Sequence, residues 1–454
     1  MKDKIYKLLP DFLQGILIGI FNFLAYRKRY GKEYWKYLLL FQNNKNISLG
    51  ELKIIQKKRF RDLITYAKKN SKYYKDYPLV DIECINELPI ISKESLRENI
   101  YDVYTLPKNE GIISKTGGTT GKSLEVVFTK DNIQERFAML DCFRGNYGYK
   151  LGKKTAWFSG KSLLNNKDIN LKRFWKTDPF HNVRYYSTFH IKEENLKYYL
   201  DNLIMYKPEF LVGFPSTMLE IAKYGLKIGY KYPMGSINAI FPTAETITPV
   251  MRETIESFFN ARIFNQYASS EGAPFIFECD NGNLHLELQS GVFEVIDYDG
   301  NLSNEGQLVV TSFTTFGTPL IRYNIGDFVV LENELINCGC GNNNTLVKEI
   351  LGRVDDYVYS IENGKINLGN VSNTLKDTKG IIQFQVVQNE LNKIEILLVR
   401  DINVYNEIIE RKFINNWIQR VGNKTELMIK YVDHIKVEKS GKFRLVKNNI
   451  KHLL

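Results

Sequence analysis

The clearest pattern along the chain is an alternation of short apolar runs and amphipathic stretches after residue 100. The runs KSLEVVFT, KTAWFSG, FLVGFPS and AIFPTAE are rich in β-branched and aromatic residues, and each predicts a strand. The stretches ENLKYYLDNLIMY and TMLEIAKYGLKIG carry apolar residues at helical spacing and predict helices. Alternating strands and helices are typical of an α/β body.

Two later stretches change character. Residues 291–335 hold short β runs broken by Gly and Asn, which is typical of a small barrel or meander. Beyond residue 357, GIIQFQVVQ and KIEILLVRD predict a strand pair, VYNEIIERKFINNWIQRV a helix and LMIKYVDHIKVE a last strand. The charged segment LGRVDDY separates the two blocks and predicts a hinge. The sequence therefore predicts a large α/β domain followed by a small α+β domain of about one hundred residues.

The N-terminal segment combines an apolar run with a basic flank. Residues 12–26, FLQGILIGIFNFLAY, are almost uniformly apolar and are followed by the triplet RKR. The run is shorter than the ~20 residues that span a bilayer, and its basic flank lies on the wrong side for a signal peptide. Two interpretations stay open: an interfacial helix with its apolar face in the lipid headgroups, or an ordinary N-terminal helix buried in the fold. Residues 51–78 predict a further helix that ends near Pro78.

Composition restricts the class of protein. The 454 residues include 62 Lys and Arg against 51 Asp and Glu, a formal net charge of +11. The content of 44% hydrophobic and 25% charged residues is typical of a globular chain with more than one domain. Five cysteines are too few for a disulfide scaffold and indicate a reducing compartment. The positive excess favours anionic partners, but the chain has neither zinc-finger spacing nor an RNA-binding aromatic signature, so nucleic acid is not expected.

A Gly- and Thr-rich run carries the first candidate chemistry. SKTGGTTGKS, residues 114–123, combines three glycines with hydroxyl groups and two lysines, which suits a polyphosphate. It nearly matches the Walker A pattern, but Thr116 stands where that pattern needs its first glycine. The following KSLEVVFT predicts a strand where a P-loop needs a helix. A P-loop NTPase is therefore excluded, and a plain Gly-rich surface turn is the alternative to a phosphate loop.

The run resembles the phosphate loop of the adenylate-forming superfamily of acyl-CoA synthetases and adenylation domains, in particular its phenylacetate–CoA ligase-like and CapK-like branch. The resemblance covers nearly the whole chain. It implies a large, multi-subdomain N-terminal domain over 1–352 that binds ATP and an acid, a hinge at 353–356, and a small mobile α+β C-terminal domain over 357–454. It also implies that the β- and γ-phosphates of ATP are held by Thr116, Gly117, Gly118, Thr119, Thr120, Gly121 and Lys122.

Two further motifs, FPTAE at 241–245 and NQYASSEG at 265–272, resemble the family's adenine-binding turn and its Tyr-x-x-Thr/Ser-Glu signature. The resemblance implies that Tyr267 stacks on adenine, Ser270 contacts the α-phosphate and Glu271 ligates Mg²⁺. An aromatic face suits a purine, and a carboxylate oxygen suits Mg²⁺. By itself, YASSEG predicts only a helix start with a serine N-cap. The resemblance further implies ATP or AMP contacts for Ala244, Glu245, Gln266, Ala268 and Ser269.

Three more motifs follow in the family's order. IRYNIGD resembles the Tyr-Arg-Thr-Gly-Asp segment and implies that Asp327 binds the ribose hydroxyls, although its Asn-Ile pair departs from the family and puts the ribose contacts in doubt. GRVDD resembles the hinge, with Arg353 contacting ribose or phosphate and Asp355 as the pivot. EKSGKFR resembles the segment that carries the catalytic lysine. Lys442 would accordingly stabilise the charge that develops at the α-phosphate.

A separate constellation consists of Cys279, His285, Cys338 and Cys340. The C-x5-H and C-x-C spacings, with the Gly-rich turn CGCGNNN, would give a closed tetrahedral Zn²⁺ site of the structural type. The alternative is a set of reduced thiols in a loop, and the sequence leaves the two interpretations open.

The resemblance also implies an activity and a substrate pocket. Trp157, Phe158, Phe214 and Pro215 are expected to line the pocket for a small carboxylic acid. The expected reaction activates that acid with Mg·ATP through an acyl-adenylate and transfers it to coenzyme A or to the phosphopantetheine of an acyl carrier protein. The CapK likeness suggests a role in capsule or O-antigen polysaccharide biosynthesis. An adenylyltransferase that stops at AMP transfer and a non-catalytic assembly protein are the alternatives.

These expectations also bound the location and the partners. A cytoplasmic enzyme is expected, in peripheral contact with the inner membrane face if the N-terminal segment is interfacial. An acyl carrier protein is a candidate partner beside the small acid. The identity of the acid, the thiol acceptor and the oligomeric state are not determined by the sequence.

Overall fold

The computed structural model describes residues 9–115, 124–161, 163–297, 299–333, 336–353, 357–367, 373–375, 378–436, 438 and 443–453. The chain divides into two compact units. Unit 1 comprises Met1–Gly19, Leu151–Ile263 and Leu351–Leu454, and unit 2 comprises Ile20–Lys150 and Phe264–Ile350.

The helices begin at residues that satisfy their first N–H groups. For example, the Ser48 hydroxyl accepts from the Glu51 N–H and the Glu51 carboxylate accepts from the Ser48 N–H, which forms a capping box. The helix predicted over 51–78 already ends at Asn70, because the chain turns there and buries Tyr74, whose hydroxyl donates to the Pro319 carbonyl oxygen (2.9 Å). The helices are α1 (Asp11–Arg29), α2 (Lys32–Asn43), α3 (Leu49–Asn70), α4 (Lys93–Glu98), α5 (Ile100–Val103), α6 (Lys130–Gly145), α7 (Asn166–Asn170), α8 (Glu193–Tyr206), α9 (Pro215–Lys227), α10 (Pro249–Phe259) and α11 (Glu407–Val421).

The strands coincide with the β-branched and aromatic runs of the sequence. They are β1 (Ile112–Lys115), β2 (Glu125–Phe128), β3 (Thr155–Ser159), β4 (Trp175–Asp178), β5 (Val183–Ser187), β6 (Phe210–Gly213), β7 (Ala239–Pro242), β8 (Gln266–Ala268), β9 (Phe275–Glu278), β10 (Leu284–Leu286), β11 (Gly291–Ile296), β12 (Glu305–Ser312), β13 (Tyr323–Leu331), β14 (Thr345–Arg353), β15 (Tyr357–Ser360), β16 (Gly364–Asn367), β17 (Ile381–Glu390), β18 (Lys393–Arg400), β19 (Glu426–Tyr431) and β20 (Val446–Asn448).

Unit 1 contains a five-stranded sheet in the order β4-β5-β3-β6-β7. Strands β5, β3, β6 and β7 run parallel, and β4 is antiparallel to β5. Parallel neighbours need crossover connections, and α8 and α9 provide them. A buried core that includes Phe158, Leu211, Met218 and Ile255 joins the sheet to these helices and to α10. The predicted α/β layer is therefore confirmed.

Unit 1 also contains the C-terminal residues, in which α11 packs on a sheet of order β19-β18-β17-β20. Phe384, Ile396, Phe413 and Trp417 form its buried core, so the predicted strand pair and helix are confirmed. The last predicted strand was too long. Strand β19 ends at Tyr431, opposite Leu398 near the end of β18, and β20 adds to the other edge of the sheet, parallel to β17.

Unit 2 is built on a seven-stranded sheet of order β11-β12-β13-β14-β10-β9-β8. The consecutive order of β11 to β13 is the meander that the sequence predicted over residues 291–335, and β14 continues it. The hairpin of β1 and β2 flanks the candidate phosphate loop. The core of unit 2 packs α3, α4, α5 and α6 residues such as Phe60, Leu63 and Leu96 against Val310 and Tyr323 of the sheet.

Helix α1 is amphipathic, but two of its polar side chains face the protein and many of its large apolar side chains are exposed. Its polar Gln14 and Asn22 are only 1% and 7% exposed, whereas Phe12 and Phe21 are 67% and 69% exposed. The backbone lies directly against β4, since a Cβ on Gly15 would meet the Thr177 carbonyl oxygen at 2.9 Å. The interpretation as an ordinary buried apolar helix is therefore wrong. Among the residues that the structure describes, no helix is both long and apolar enough to cross a bilayer.

Candidate nucleotide site and metal centre

The NQYASSEG motif forms strand β8 and a tight turn in unit 2. The Ser269 hydroxyl donates to the Ala273 carbonyl oxygen (2.8 Å) and accepts from the Glu271 N–H (3.1 Å). Ser269 therefore shapes the turn, whereas Ser270 is exposed at its tip. Residues 269–274 are described throughout and contain no helical turn, so the helix start that YASSEG alone predicts is wrong.

Gly272 allows this turn to lie directly against the segment after β12. Its φ of +111° is a conformation that favours glycine, and a Cβ would lie 2.3 Å from Thr315 Cγ2. The Thr314 hydroxyl donates to the Gly272 carbonyl oxygen at 2.8 Å. Glu271, which is 2% exposed, is thereby held on a backbone with little freedom to move.

Tyr267 and Asp327 come from different motifs and meet in unit 2. The Tyr267 hydroxyl donates a hydrogen bond to Asp327 Oδ2. Asn324, which departs from the family pattern, accepts from the Gly326 N–H (3.0 Å) and donates to Gln307 (2.6 Å), so it shapes the irregular stretch of β13, a shift in pairing with β12, that leads to Asp327. The structure thus brings the candidate adenine-stacking ring beside the candidate ribose-binding carboxylate.

Arg136, a partly buried arginine on α6, supports the turn at 269–272 although no sequence motif points to it. It donates to the Ser269 carbonyl oxygen (2.6 Å), and its guanidinium lies 4.6 and 5.7 Å from the ring centroids of Phe128 and Phe275. Burial lowers the pKa of Arg136 to about 10, while the negative charge of Glu271 acts in the opposite direction. Arg136 therefore stays cationic at neutral pH and supports the turn that carries Glu271. No motif marks it, because its partner lies 133 residues away.

In unit 1 the FPTAE motif forms the turn after β7. Ala244 has a φ of +66°, an uncommon conformation for a residue with a side chain, and the Thr243 N–H donates to the Gly213 carbonyl oxygen (2.9 Å). The Glu245 carboxylate accepts from the Ser216 N–H and hydroxyl, both at 3.0 Å. Because the N-cap of α9 has no capping side chain, Glu245 supplies the acceptor at this helix start.

The residues expected to line an acid pocket are only partly compatible with that role. Trp157 and Phe158 are neighbours on β3 and face opposite sides of the sheet. Phe158 is fully buried and stacks on Tyr186 with ring centroids 5.1 Å apart, so it contributes to the core. Trp157 packs beside Tyr185. Phe214 and Pro215 lie at the start of α9 and are buried.

Several predicted residues cannot be assigned a geometry. Only the main chain of Arg353 is described, as the last residue of β14. The roles of Arg353 and of the following residues, which lie outside the described part of the chain, stay predictions: Thr116, Gly117, Gly118, Thr119, Thr120, Gly121, Lys122, Asp355 and Lys442.

The Cys/His constellation is brought together in unit 2. Cys279 and His285 lie on the β9–β10 hairpin, and Cys338 and Cys340 lie on the loop before β14. The Sγ atoms of Cys279 and Cys338 are 3.4 Å apart, as are Cys340 Sγ and His285 Nε2, and all four ligand atoms lie within 4.8 Å of one another. All five cysteines of the chain are described, and none forms a disulfide.

The surroundings of this cluster suit a metal. Zn–S and Zn–N distances of about 2.3 and 2.0 Å place tetrahedral ligand atoms roughly 3.5 Å apart, close to the observed separations. His285 Nδ1 lies 3.3 Å from the Asn344 carbonyl oxygen, so an Nδ1–H donor would leave Nε2 to face the sulfurs. Asn283 donates to Cys338 Sγ (3.1 Å) and the Asn342 N–H to Cys340 Sγ (3.4 Å), as amides do around thiolates.

The protonation preferences of the cluster in the absence of a metal are mixed. Burial lowers the pKa of His285, which favours the neutral imidazole that metals bind. Burial raises the pKa of Cys340 to about 12. Burial also acts to raise the pKa of Cys338, but hydrogen bonds from Asn283 and Cys279 outweigh it, so this pKa is lowered.

Comparison with known proteins identifies relatives over the full length. The chain is 34% identical to "Protein CapK" of Staphylococcus aureus over 460 aligned residues, which cover 99% of this chain and 100% of that protein. It is 24% identical over 327 residues to a phenylacetate-coenzyme A ligase of Thermus thermophilus, covering 68% of this chain and 72% of the relative. A family model for the CapK C-terminal domain matches residues 358–449.

Solved structures show the same fold. A 2-hydroxyisobutyryl-CoA ligase in its postadenylation state matches with a TM-score of 0.70 at 15% identity, covering 90% of this chain and 92% of that one. The same enzyme in its thioesterification state matches with a TM-score of 0.56 and the same coverage. The fold is therefore that of the adenylate-forming acid–thiol ligases. Within that class, the chain belongs to the CapK family, since the CapK match spans both proteins.

Proposed function

We propose that this protein is an ATP-dependent acid–thiol ligase that activates a small carboxylic acid through an acyl-adenylate. The contact of Tyr267 with Asp327 carries the proposal, because these two residues correspond to the adenine- and ribose-binding motifs of the resembling family and lie 60 residues apart in sequence. Each motif alone is common in unrelated proteins and supports the function only weakly. The contact between residues of both motifs, in a member of the CapK family, supports it specifically.

In the first half-reaction a carboxylate oxygen of the acid attacks the α-phosphorus of ATP, and the bond to pyrophosphate breaks as the new O–P bond forms. Tyr267 would offer its ring face to adenine, and Asp327 would accept the ribose hydroxyls. The exposed hydroxyl of Ser270 would donate to the α-phosphate. Lys442, which lies outside the described residues, would stabilise the developing negative charge.

Glu271 is the residue that would hold Mg²⁺. Magnesium takes one or two carboxylates from a protein and its other ligands from phosphate and water. The carboxylate of Glu271 lies on a turn that the Ser269 hydroxyl and Gly272 fix, so it offers a positioned oxygen donor. A bound Mg²⁺ would neutralise charge on the phosphate oxygens.

In the second half-reaction a thiol sulfur attacks the acyl carbon, loses its proton to solvent and releases AMP. We propose coenzyme A as the acceptor, with the phosphopantetheine of an acyl carrier protein as the alternative. The CapK relationship supports a further proposal, that the acyl group is destined for a capsule or O-antigen polysaccharide.

Pyrophosphate release from ATP with phenylacetate, 2-hydroxyisobutyrate and acetate, each with and without coenzyme A, tests the proposed activity. Acid-dependent release followed by thiol-dependent turnover is expected. Thiol-independent AMP transfer to the acid or to another acceptor would instead identify an adenylyltransferase. No release with any acid would favour a non-catalytic assembly protein.

We also propose that the protein contacts the inner membrane face through α1 and α2. The outward face of α1 exposes Phe12, Phe21 and Leu24, and α2 exposes Trp35 and Leu39 beside them in sequence. The exposed basic residues Arg27, Lys28 and Lys32 flank this apolar face, and no acidic residue occurs from 12 to 32. An apolar face with a basic border is complementary to an anionic bilayer surface.

Sedimentation with vesicles tests this surface. Binding to phosphatidylglycerol vesicles and weak binding to phosphatidylcholine vesicles are expected. The double variant Phe21→Ser, Leu24→Ser should lose binding, and the matched control Ile402→Ser, Ile408→Ser, which alters exposed apolar residues elsewhere, should retain it. A wild-type dimer that the first variant dissociates, without vesicle binding, would show that a second copy covers this face.

Finally, we propose that Cys279, His285, Cys338 and Cys340 bind one structural Zn²⁺. All four ligands come from the protein, so the ion would join the β9–β10 hairpin to the loop before β14 and leave no position open for substrate. One equivalent of zinc is expected in protein purified without chelator. Cys340→Ser should lose the metal and melt at a lower temperature, whereas the matched control Cys84→Ser should retain it. Zinc-free wild type would contradict the proposal.

A further inference from the structure

The Glu245 carboxylate joins two segments of unit 1 that are far apart in sequence. Oε1 accepts from the Phe443 N–H (2.5 Å) and from the Ser216 hydroxyl (3.0 Å), and Oε2 accepts from the Ser216 N–H (3.0 Å). Ser216 belongs to the first turn of α9. Phe443 directly follows Lys442, the residue expected to act on the α-phosphate.

Phe443 is tied to the C-terminal sheet of unit 1. Gln385 on β17 donates to the carbonyl oxygen of Arg444 (2.6 Å), and the Val386 N–H donates to that of Leu445 (2.8 Å). Strand β20 then pairs in parallel with β17. The bond to the Phe443 N–H therefore restrains segment 443–445, which these hydrogen bonds join to the C-terminal sheet.

The side of Glu245 that faces α9 is equally restrained. The left-handed Ala244 (φ +66°) and the bond from the Thr243 N–H to the Gly213 carbonyl oxygen hold the turn in one conformation. A non-glycine residue in this region of φ/ψ space persists where the surrounding structure enforces it, and such residues cluster at functional positions. Glu245 thus presents its carboxylate from a fixed turn to a backbone N–H of the C-terminal sheet.

Two further contacts lie beside this bond, one apolar and one ionic. Ile382 on β17 packs against the core of the five-stranded layer. The exposed ion pair of Lys227 and Glu193 lies near Asp433 and His434, and exposed ion pairs contribute little. A hydrogen bond to a charged acceptor is stronger than a neutral one, so the Glu245–Phe443 bond is well placed to decide whether the segment stays docked.

We propose that Glu245 is a positioning residue that holds segment 443–445 on α9 for adenylate formation and releases it for thiol transfer. The inference rests on the proposed function, because a lysine that serves the first half-reaction must leave before a thiol can enter. The family resemblance implies that Glu245 contacts the nucleotide. The bonds of its carboxylate to α9 and to the Phe443 N–H support this additional role.

Hydrogen exchange of the Phe443 amide and separate measurement of the two half-reactions test this inference. Glu245→Ala should speed exchange at Phe443 at least tenfold and slow acid-dependent pyrophosphate release at least tenfold. Thioester formation from preformed acyl-adenylate should be unchanged or faster. Glu245→Gln keeps the shape and an acceptor oxygen without the charge, so it should give an intermediate effect in both measurements.

Ser216→Ala is the matched control, since it removes one hydrogen bond at the helix start and leaves the Phe443 bond in place. It should lower the melting temperature but keep the Phe443 amide protected. The inference is overturned if Glu245→Ala leaves exchange at Phe443 unchanged, or if it slows both half-reactions equally. If wild-type protein activates no acid, the proposed function fails, and the exchange data alone decide whether Glu245 holds the segment.

Discussion

Two turns that resemble nucleotide-binding motifs are built in opposite ways. The turn at 269–272 in unit 2 is closed on itself: the Ser269 hydroxyl bonds within it, and Arg136 and Thr314 bond to its carbonyl oxygens. The turn at 243–245 in unit 1 is also fixed, but its carboxylate bonds to α9 and to the segment after Lys442. The first turn is suited to hold a ligand in place, and the second is suited to the role proposed for Glu245, to hold and release segment 443–445.

Neighbouring residues of one motif can therefore have different roles, one in supporting the turn and another in contacting a ligand. Within YASSEG, Ser269 supports the turn and Ser270 faces outward, although the sequence gives both the same chemistry. Within FPTAE, Ala244 shapes the turn with its positive φ, and the Glu245 carboxylate bonds to the first turn of α9. Substitutions in the first turn should therefore affect both half-reactions, and substitutions at the second should separate them.

The largest effect is expected for Arg136→Gln, which would remove the side chain that supports the turn at 269–272. It removes the cation near Glu271 and the donor to the Ser269 carbonyl oxygen. Glu271 is only 2% exposed, and leaving a buried charge uncompensated costs about 3–5 kcal/mol of stability. Thermal and urea unfolding would measure it, with Arg136→Lys as the control that keeps the charge and should lose less. Equal stability of Arg136→Gln and wild type would contradict the supporting role.

Lys442→Ala should have the next largest effect and should act on one half-reaction only. Loss of one fixed group that stabilises transition-state charge slows a step by about 10²–10³-fold. Acid-dependent pyrophosphate release should fall by that factor, while thioester formation from preformed acyl-adenylate stays intact. Equal loss of both half-reactions would contradict the proposed role of Lys442 in adenylate formation.

The paired variants Ser269→Ala and Ser270→Ala distinguish the residue that supports the first turn from the residue that faces outward. Ser269→Ala leaves the buried Glu271 N–H without its acceptor and should cost about 1–3 kcal/mol in unfolding measurements. Ser270→Ala should leave stability unchanged and slow adenylate formation. The same loss of stability from both variants would show that the two serines act alike.

Tyr267→Phe should have the smallest effect. It keeps the ring for adenine and removes only the hydroxyl that donates to Asp327. One hydrogen bond to a charged group contributes about 1.5–3 kcal/mol at most, and solvent can replace part of it here because Tyr267 is only half-buried. A several-fold rise in the KM for ATP at nearly constant kcat is expected in steady-state assays. A larger fall in kcat than in ATP affinity would place the hydroxyl at the reacting atoms.

Much of the architecture could be predicted from the sequence, because strand and helix periodicities are local. The alternation between residues 155 and 259 predicted an α/β body, but not the strands β4 and β5 that extend its sheet, and the motif order predicted the family. Contacts between distant residues could not be predicted in this way. Arg136 reaches Ser269 across 133 residues, and Glu245 reaches Phe443 across 198.

Strand geometry could have narrowed one expectation from the sequence alone. Trp157 and Phe158 are consecutive on a strand and lie on opposite faces, so only one of the two can face a pocket on a given side of the sheet. The inverse polarity of α1 was also accessible in part. Its polar Gln14 and Asn22 are eight residues apart and fall on one helical face, but only the structure shows that this face is the buried one.

Transfer of an oxygen isotope from the acid to AMP tests directly whether the reaction passes through an acyl-adenylate. The acid that supports pyrophosphate release is supplied with ¹⁸O in its carboxylate, and the products are analysed by mass spectrometry after complete thiol transfer. The carboxylate oxygen that attacks the α-phosphorus stays on phosphorus when the thiol displaces AMP. One ¹⁸O atom is therefore expected in AMP and none in pyrophosphate. Unlabelled AMP, or label recovered in inorganic phosphate, would contradict the mechanism.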